Sequence, residues 1–287
     1  KVFIVNQNAA LCINRILRSF FVRNYQLYLS KGVDLLTDRL PIALCAQHCN
    51  GGLAVRNSRE STSLKDFYAV GECAGTFGVY RPGGSALNST QTGSLFAAIA
   101  IAKKKKAFAL PSEAVLSNIS DEIKILCGMT GGDTSRDDIL SRRAAMGKRM
   151  SECAAFLRNE EKLREAMTQF REELLHFVED YRLQDTSDVT DALINRDVLQ
   201  TQLVYFGAIL DYIADGGKSR GSYLLLKDGN ADLLSGTPEI DTEHAAFVQN
   251  TFLGDDLSVH SFFEPVRPLP ESDQWFENVW NRFRKEN

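Results

Sequence analysis

An α/β segment followed by an all-helical one (α/β plus α) is the fold class that this 287-residue sequence predicts. Three observations carry that reading. A glycine-rich loop, GECAGTFGVYRPGGSALNS over residues 71–89, joins a strand-like run to a run of helical character. Residues 135 to about 180 are rich in charge, with apolar residues three and four apart, the spacing of amphipathic helices. Residues 188–214 keep that period and are far more apolar. The composition shifts at these places divide the chain into 1–40, 41–110, 111–225 and 226–287.

The elements follow in order. The apolar run at 2–5 is short enough for a strand. AALCINRILRSFFVRNYQLYLSKGVD predicts a helix over about 9–29, with Gly32 as its stop. LPIALCAQHC is a short apolar run, NGGLAV turns into a strand, RNSREST is a polar loop, and LKDFYAV is a strand ending at Gly71. SALNSTQTGSLFAAIAIAKKKK predicts a helix whose lysines fall at the C-terminal end, where cations meet the negative pole of the dipole. Pro111 and Ser112 mark a break. TSRDD supplies an N-cap and an acidic first turn to the charged region, and DVLQTQLVYFGAILDYIA is the buried face of a later helix. Short loops make these helices antiparallel neighbours in a bundle. Beyond Gly216 come Pro-bearing loops and a terminal QWFENVWNRFRK, read as a small extension packing its aromatics on the rest.

Bulk properties exclude several classes. A formal net charge of -4 argues against a nucleic-acid binder. The most apolar window, 95–102, is less than half of a membrane span, and no signal peptide is visible. Six scattered cysteines fit a reducing, cytoplasmic setting. Cys45 and Cys49 bracket His48, but zinc needs further ligands that the neighbourhood does not offer, so no metal is expected. His176, His244 and His260 are assigned no chemistry. The chain starts at Lys1, not Met, inside an apolar run, and is expected to be part of a longer protein.

The loop carries the chemistry. A strand ending at Gly71-Glu72 places a carboxylate at the carboxyl end of a sheet, where open α/β sheets bind ligands. Gly75, Gly78, Gly83 and Gly84 let backbone approach a flat ligand without Cβ clashes. A helix opening at Ser85-Ala86-Leu87 offers amides to negative charge. Arg81 adds a planar, permanently charged fork that pairs bidentately with a carboxylate.

FYAVGECAGTFGVYRPGGSAL resembles the second half of the FAD-binding domain in succinate dehydrogenase/fumarate reductase flavoproteins and L-aspartate oxidases. AQHCNGGLAV resembles their His-x-x-Gly-Gly turn. TSRDDILSRRAAMGKRMSECAAFLRNEEKLREAM resembles the start of their C-terminal helical domain, and VLQTQLVYFGAILDYIADGGKSRGSYL its later helix and Ser-Arg-Gly turn. The resemblance covers about residues 34–225. It implies the C-terminal half of a two-dinucleotide-binding-type domain at 41–110, after a remnant of the capping or linker region at 1–40. A helical bundle at 111–225 and a C-terminal extension at 226–287 follow.

The same resemblance implies site roles. Glu72 binds the FAD ribose or ribitol, and Ser85 and Leu87 turn backbone amides toward the isoalloxazine. Gly51, Gly52, Gly83 and Gly84 let the chain pass close to the ring. Arg81 and His48 clamp a substrate carboxylate, for hydride transfer at flavin N5. Fumarate, succinate and aspartate are candidate substrates, though Tyr80 departs from the Asn usual before the loop Arg. The family's Gly-x-Gly-x-x-Gly does not occur in this sequence, and no covalent flavin-linking His or proton-donating Arg is identifiable. FAD affinity rests heavily on a pyrophosphate at the first helix N-terminus. The chain alone is therefore expected to hold FAD weakly and to be inactive. The competing readings are a non-catalytic helical interaction module and a subunit needing a separate FAD-binding chain; a homodimer or a partner subunit fits either.

Overall fold

The structure is a computed structural model and describes residues 22–39, 51–77, 84–104, 110–220, 223–225, 239–266, 268 and 271–286. The expected strand at 2–5, the first half of the helix expected over 9–29 and the apolar run at 40–49 lie outside the described residues. The chain forms two compact units, Lys1–Lys104 and Lys105–Asn287.

In the first unit, α1 spans Val22–Ser30. It stops where the sequence places the stop: Gly32 takes φ +79°, its amide donates to Leu29 O at 3.0 Å, and the Val33 amide donates to Tyr28 O at 3.0 Å. This paired closure satisfies the last helical carbonyls and needs a residue at ease in the left-handed region. Residues 51–77 correct the expected strands. NGGLAV makes a single antiparallel bridge, Gly52 to Ala74, and LKDFYAV makes one, Tyr68 to Ser61. The first half of LKDFYAV is a turn in which the Phe67 amide donates to Leu64 O at 3.2 Å and Asp66 takes φ +65°. A strand needs a neighbour that accepts its hydrogen bonds over several residues; the described residues 51–77 find only each other, in short reverse turns. α2, Ser85–Ala102, runs where the sequence predicts a helix.

The second unit is a helical bundle with two small sheets. α3 (Glu113–Gly128) is capped by the Ser112 hydroxyl, which accepts from the Val115 amide at 3.4 Å. β1 (Thr130–Thr134) leads into α4 (Arg136–Cys153), which starts in a capping box. There the Asp138 amide donates to the Ser135 hydroxyl at 3.3 Å, while the Ser135 amide donates to the Asp138 carboxylate at 3.0 Å. β2 (Leu157–Arg158), α5 (Glu160–Leu175), α6 (Phe177–Asp180) and α7 (Val189–Ala214) follow. β3 (Leu224–Leu225) pairs parallel with β2. β4 (Phe247–Leu253) and β5 (Val259–Pro265) form an antiparallel hairpin from Phe247 opposite Pro265 to Leu253 opposite Val259. α8 is Trp275–Glu286.

Apolar periodicity places the core between α4, α5 and α7. Ile139 and Met146, Leu163 and Phe170, and Leu199, Leu203 and Phe206 are all buried there. The Phe170 and Phe206 rings meet edge to face at 4.9 Å. Gly207 lets the hairpin lie against α7, because a Cβ there would come within 2.6 Å of Val259 Cβ. Gln249 Nε2 pins the same contact by donating to Ala208 O at 2.8 Å. Asn195 is the polar side chain sealed most deeply in this core, and it is paired as its desolvation demands, whereas Gln202 pairs only its Nε2, with Met146 O at 2.8 Å, and leaves its Oε1 without a partner among the described residues. Asn195 donates to Ile139 O at 2.8 Å and Tyr181 OH at 2.9 Å, and accepts from Arg143 Nε at 2.8 Å. The C-terminal extension corrects a second expectation. Phe263 packs on His244 with ring centroids 5.5 Å apart, but of the terminal QWFENVWNRFRK stretch Trp275, Phe276 and Trp280 stay about half exposed.

Candidate functional site

The site expected from the sequence falls in the first unit, on two glycine turns and the mouth of α2. Val70 is extended and the chain then folds tightly over Gly71–Cys73. Gly71 takes φ +73°, the Ala74 amide donates to Gly71 O at 3.1 Å and the Gly75 amide to Glu72 O at 2.9 Å. Gly51 and Gly52 come against the back of this turn. The Leu53 amide donates to Cys73 O at 2.6 Å. A Cβ at Gly52 would lie 2.7 Å from Gly75 N and nearer still to the Cys73 carbonyl. Backbone therefore meets backbone, a contact open only to glycine.

α2 is set against this pair of turns by its small residues. Gly93, Ala97 and Ala100 form its buried face. A Cβ at Gly71 would touch Thr90 Cγ2 at 3.4 Å, and one at Gly93 would come within 2.7 Å of Glu60 Oε1. At the other end Lys104 Nζ reaches Asp66 at 2.6 Å and lies 5.1 Å from the centroid of the Tyr68 ring. The hydrogen bond to Asp66 raises the pKa of Lys104. Gly84 is the N-cap, at φ +82°, and carries no capping side chain. The first intrahelical bond there is the Asn88 amide to Gly84 O at 3.3 Å. Among the described residues, nothing lies within 4 Å of a Cβ built at Gly84.

The structure thus brings together Gly51, Gly52 and Glu72, and puts Gly84, Ser85 and Leu87 at the opening of the helix that packs on the Gly71–Cys73 turn. Glu72 and Ser85 are half-buried, whereas the Leu87 side chain is 72% exposed, so the fold fixes little of that residue beyond its backbone. His48, Arg81 and Gly83 lie outside the described residues. Sequence reasoning missed Glu60, at φ +58° against Gly93; only the glycine in the helix interior hinted at a close neighbour. Cys73 is an exposed free thiol whose S–H donates to Val70 O at 3.1 Å.

Chemically, the arrangement is a shelf of backbone beside a helix mouth. The positive pole of α2 and the amides of its first turn favour negative charge or acceptor atoms. Among the described residues, no three His, Cys, Asp or Glu side chains are grouped to hold a metal ion.

In the second unit, His244 is held between two carboxylates, Nδ1 to Asp241 at 2.8 Å and Nε2 to Asp215 at 3.0 Å. Tyr212 OH bonds the same Asp241 oxygen. Burial first, then the hydrogen bond to Asp241, pushes the Tyr212 hydroxyl well above its ordinary range. This cluster ties the end of α7 to the segment leading into β4. A cleft of about 620 Å³ is lined by Gly131 and Gly132 and by the charged side chains Asp133, Arg142, Glu179, Asp180 and Arg182. Its two cations and three carboxylates select no ligand charge.

No protein-family model matches the chain, and neither does any curated protein. Solved structures do match. A quinol-fumarate reductase solved with menaquinol molecules superposes with a TM-score of 0.67 at 22% identity, over 90% of this chain and 44% of that one. A mutant of E. coli quinol fumarate reductase FrdA gives 0.62 at 20% identity, over the same shares. Mycobacterium smegmatis Sdh1 in complex with UQ1 gives 0.63 at 17% identity, over 96% of this chain and 44% of that one. At such identities the likeness establishes the fold, and the chain spans less than half the length of these neighbours.

Proposed function

We propose that this chain is the C-terminal part of an FAD-dependent oxidoreductase of the fumarate reductase/succinate dehydrogenase flavoprotein type, and supplies the isoalloxazine side of its site. The observation that carries this reading is the backbone shelf at Gly51-Gly52 and Gly71–Cys73 beside the open mouth of α2. It occurs in a chain whose fold superposes on quinol-fumarate reductase with a TM-score of 0.67.

When bound, FAD supplies hydride acceptance and return at its N5. The chain's residues bind and orient. Glu72 accepts hydrogen bonds from ribose or ribityl hydroxyls. Amides of the first turn of α2, at Ser85 and Leu87, sit at the positive pole and hold negative charge on the ring. Gly51, Gly52, Gly83 and Gly84 keep side chains out of the ring's way. Arg81 pairs bidentately with a substrate carboxylate and His48 donates to it, so that the reacting carbon is held in one orientation. The pyrophosphate end of the cofactor falls to residues outside this sequence, which has no Gly-x-Gly-x-x-Gly, on the same polypeptide or on a partner subunit. The substrate is a small carboxylate of the fumarate, succinate or aspartate kind. Free thiols at Cys73 and Cys127 suit a reducing, cytoplasmic setting.

Two measurements test this. The purified chain alone should show no stoichiometric flavin absorbance, since half a site holds FAD weakly; a tight one-to-one complex would refute the division of the site. In the polypeptide that carries both halves, Arg81→Lys keeps the charge and loses the fork. Flavin content should stay and turnover of the dicarboxylate should collapse; unchanged turnover would remove Arg81 from the reaction.

A further inference from the structure

Both tryptophans of the chain, Trp275 and Trp280, lie on α8. With Phe276 and Val279 they are between 50% and 59% exposed. The rings meet along the helix, Trp275 edge to face with Phe276 at 6.1 Å and Trp280 stacked on Phe283 at 5.7 Å. At 100° per residue, Trp275, Phe276, Val279, Trp280 and Phe283 fall within an arc of about 140°. Arg282 lies about 20° beyond one edge of that arc and Arg284 about 40° beyond the other, while Lys285, Asn278, Asn281 and Glu277 fill the far side; Glu286, the last residue of the helix, falls within the arc, between Trp275 and Val279. Three cations against Glu277 and Glu286 leave the helix net positive in an acidic chain.

We infer that α8 binds the surface of an anionic lipid bilayer, lying in the headgroup plane. The charge pattern selects this occupant. Cations at the C-terminal end suit the helix dipole, but that argument does not ask for an arginine on each edge of the apolar arc. Headgroup phosphates do: aromatic rings enter the boundary region while flanking guanidiniums reach up to the phosphates. Trp favours that boundary because its ring is apolar and its N–H is not. A protein groove would select shape rather than a two-sided basic margin. Twelve residues span about 18 Å, enough to lie on a bilayer and too short to cross one. No helix among the described residues is long and apolar enough to span a membrane.

The two tryptophans make the test direct, because emission from the full chain reports on α8 alone. Vesicles of phosphatidylcholine with phosphatidylglycerol should move the emission to the blue; pure phosphatidylcholine should move it much less, and high salt should reverse the effect. Replacing a cation at the surface lowers partitioning about fivefold, so Arg282→Gln with Arg284→Gln should lower it about thirtyfold. Phe276→Ser with Val279→Ser should weaken binding to both vesicle types while the far-UV signal of the bundle is kept. Emission that stays put at millimolar anionic lipid would overturn the proposal. So would emission already blue without lipid and tracking a sedimenting dimer, which would assign the face to a second copy of the chain.

Discussion

Gly52→Ala tests the geometry on which the candidate site is built. The new Cβ would lie 2.7 Å from Gly75 N and closer to the Cys73 carbonyl, and neither neighbour is a side chain that can swing away. Unstrained contacts start near 3.5 Å, so the two turns must part by about 1 Å. That movement breaks the hydrogen bond from the Leu53 amide to Cys73 O, now 2.6 Å long. Overpacking of this kind costs about 1–3 kcal/mol and the lost bond about 1 kcal/mol, together roughly 2–4 kcal/mol. Amide exchange localises the effect: protection at Leu53 should fall between about thirtyfold and several-hundredfold, with α4, α5 and α7 unaffected. Gly32→Ala is the control. Gly32 takes φ +79° in open space, so an alanine there meets backbone strain alone, about 1 kcal/mol. Leu53 protection that survives Gly52→Ala, or a cost no larger than that of Gly32→Ala, would refute the close approach of the two turns.

Asn195→Ala should destabilise the bundle by about 2–4 kcal/mol in urea, because it takes a partner from the buried Tyr181 hydroxyl and from the part-buried Arg143 Nε; a loss under about 1 kcal/mol would mean that those groups find other partners. Ser135→Ala removes the capping box of α4 and should cost about 1 kcal/mol, while Ser135→Asp should keep most of it. Burial pushes the Asp241 carboxyl up, but the Tyr212 hydroxyl, the His244 and Lys218 amides and the His244 charge outweigh it and hold the group well below the usual carboxylate range. The unfolded chain is then the stronger proton binder, so this stabilisation is full above the unfolded pKa of about 4 and lost as pH falls through the folded value. Asp241→Asn should therefore flatten the acid limb of the stability profile, and an unaltered limb would remove this carboxylate from it.

Where local chemistry decides structure, the sequence was readable. Gly32 ends α1, TSRDD starts α4, and the apolar run of 188–214 is the spine of the bundle. The misses share a cause: partners remote in sequence. LKDFYAV has the composition of a strand, yet strands are made by neighbours, and Leu64 and Phe67 close a turn instead. The hairpin of β4 and β5 stands where the sequence reads only as a Pro-bearing loop, although FVQNTFL and VHSFFEP alternate about a Gly-Asp turn. α3 was read only as a break at Ser112; that serine is its cap, and the helix carries Val115, Leu116, Ile119 and Ile123 along it, all still about half exposed. In the site, the run of glycines announced close approaches but not what approaches. That Gly52 meets the Cys73 carbonyl, and Gly93 the Glu60 carboxylate, is a property of the folded chain.

The same contrast explains how a fold can be shared at 17–22% identity. The bundle asks only for apolar residues at a helical period, with small ones where the hairpin presses on α7, and many sequences meet that pattern. Around the candidate site the demands are stricter but fall on backbone: a left-handed residue at Gly84, no Cβ at Gly52, small residues along one face of α2. Such requirements fix single glycines and alanines and leave the residues between them free to change. On the function proposed above, the side chains that meet a substrate would stand on the segment between these fixed positions, and specificity could then drift while the shelf stays. Tyr80 beside Arg81 would then be a position at which a new substrate preference is written, with Gly52, Gly75 and Gly84 untouched.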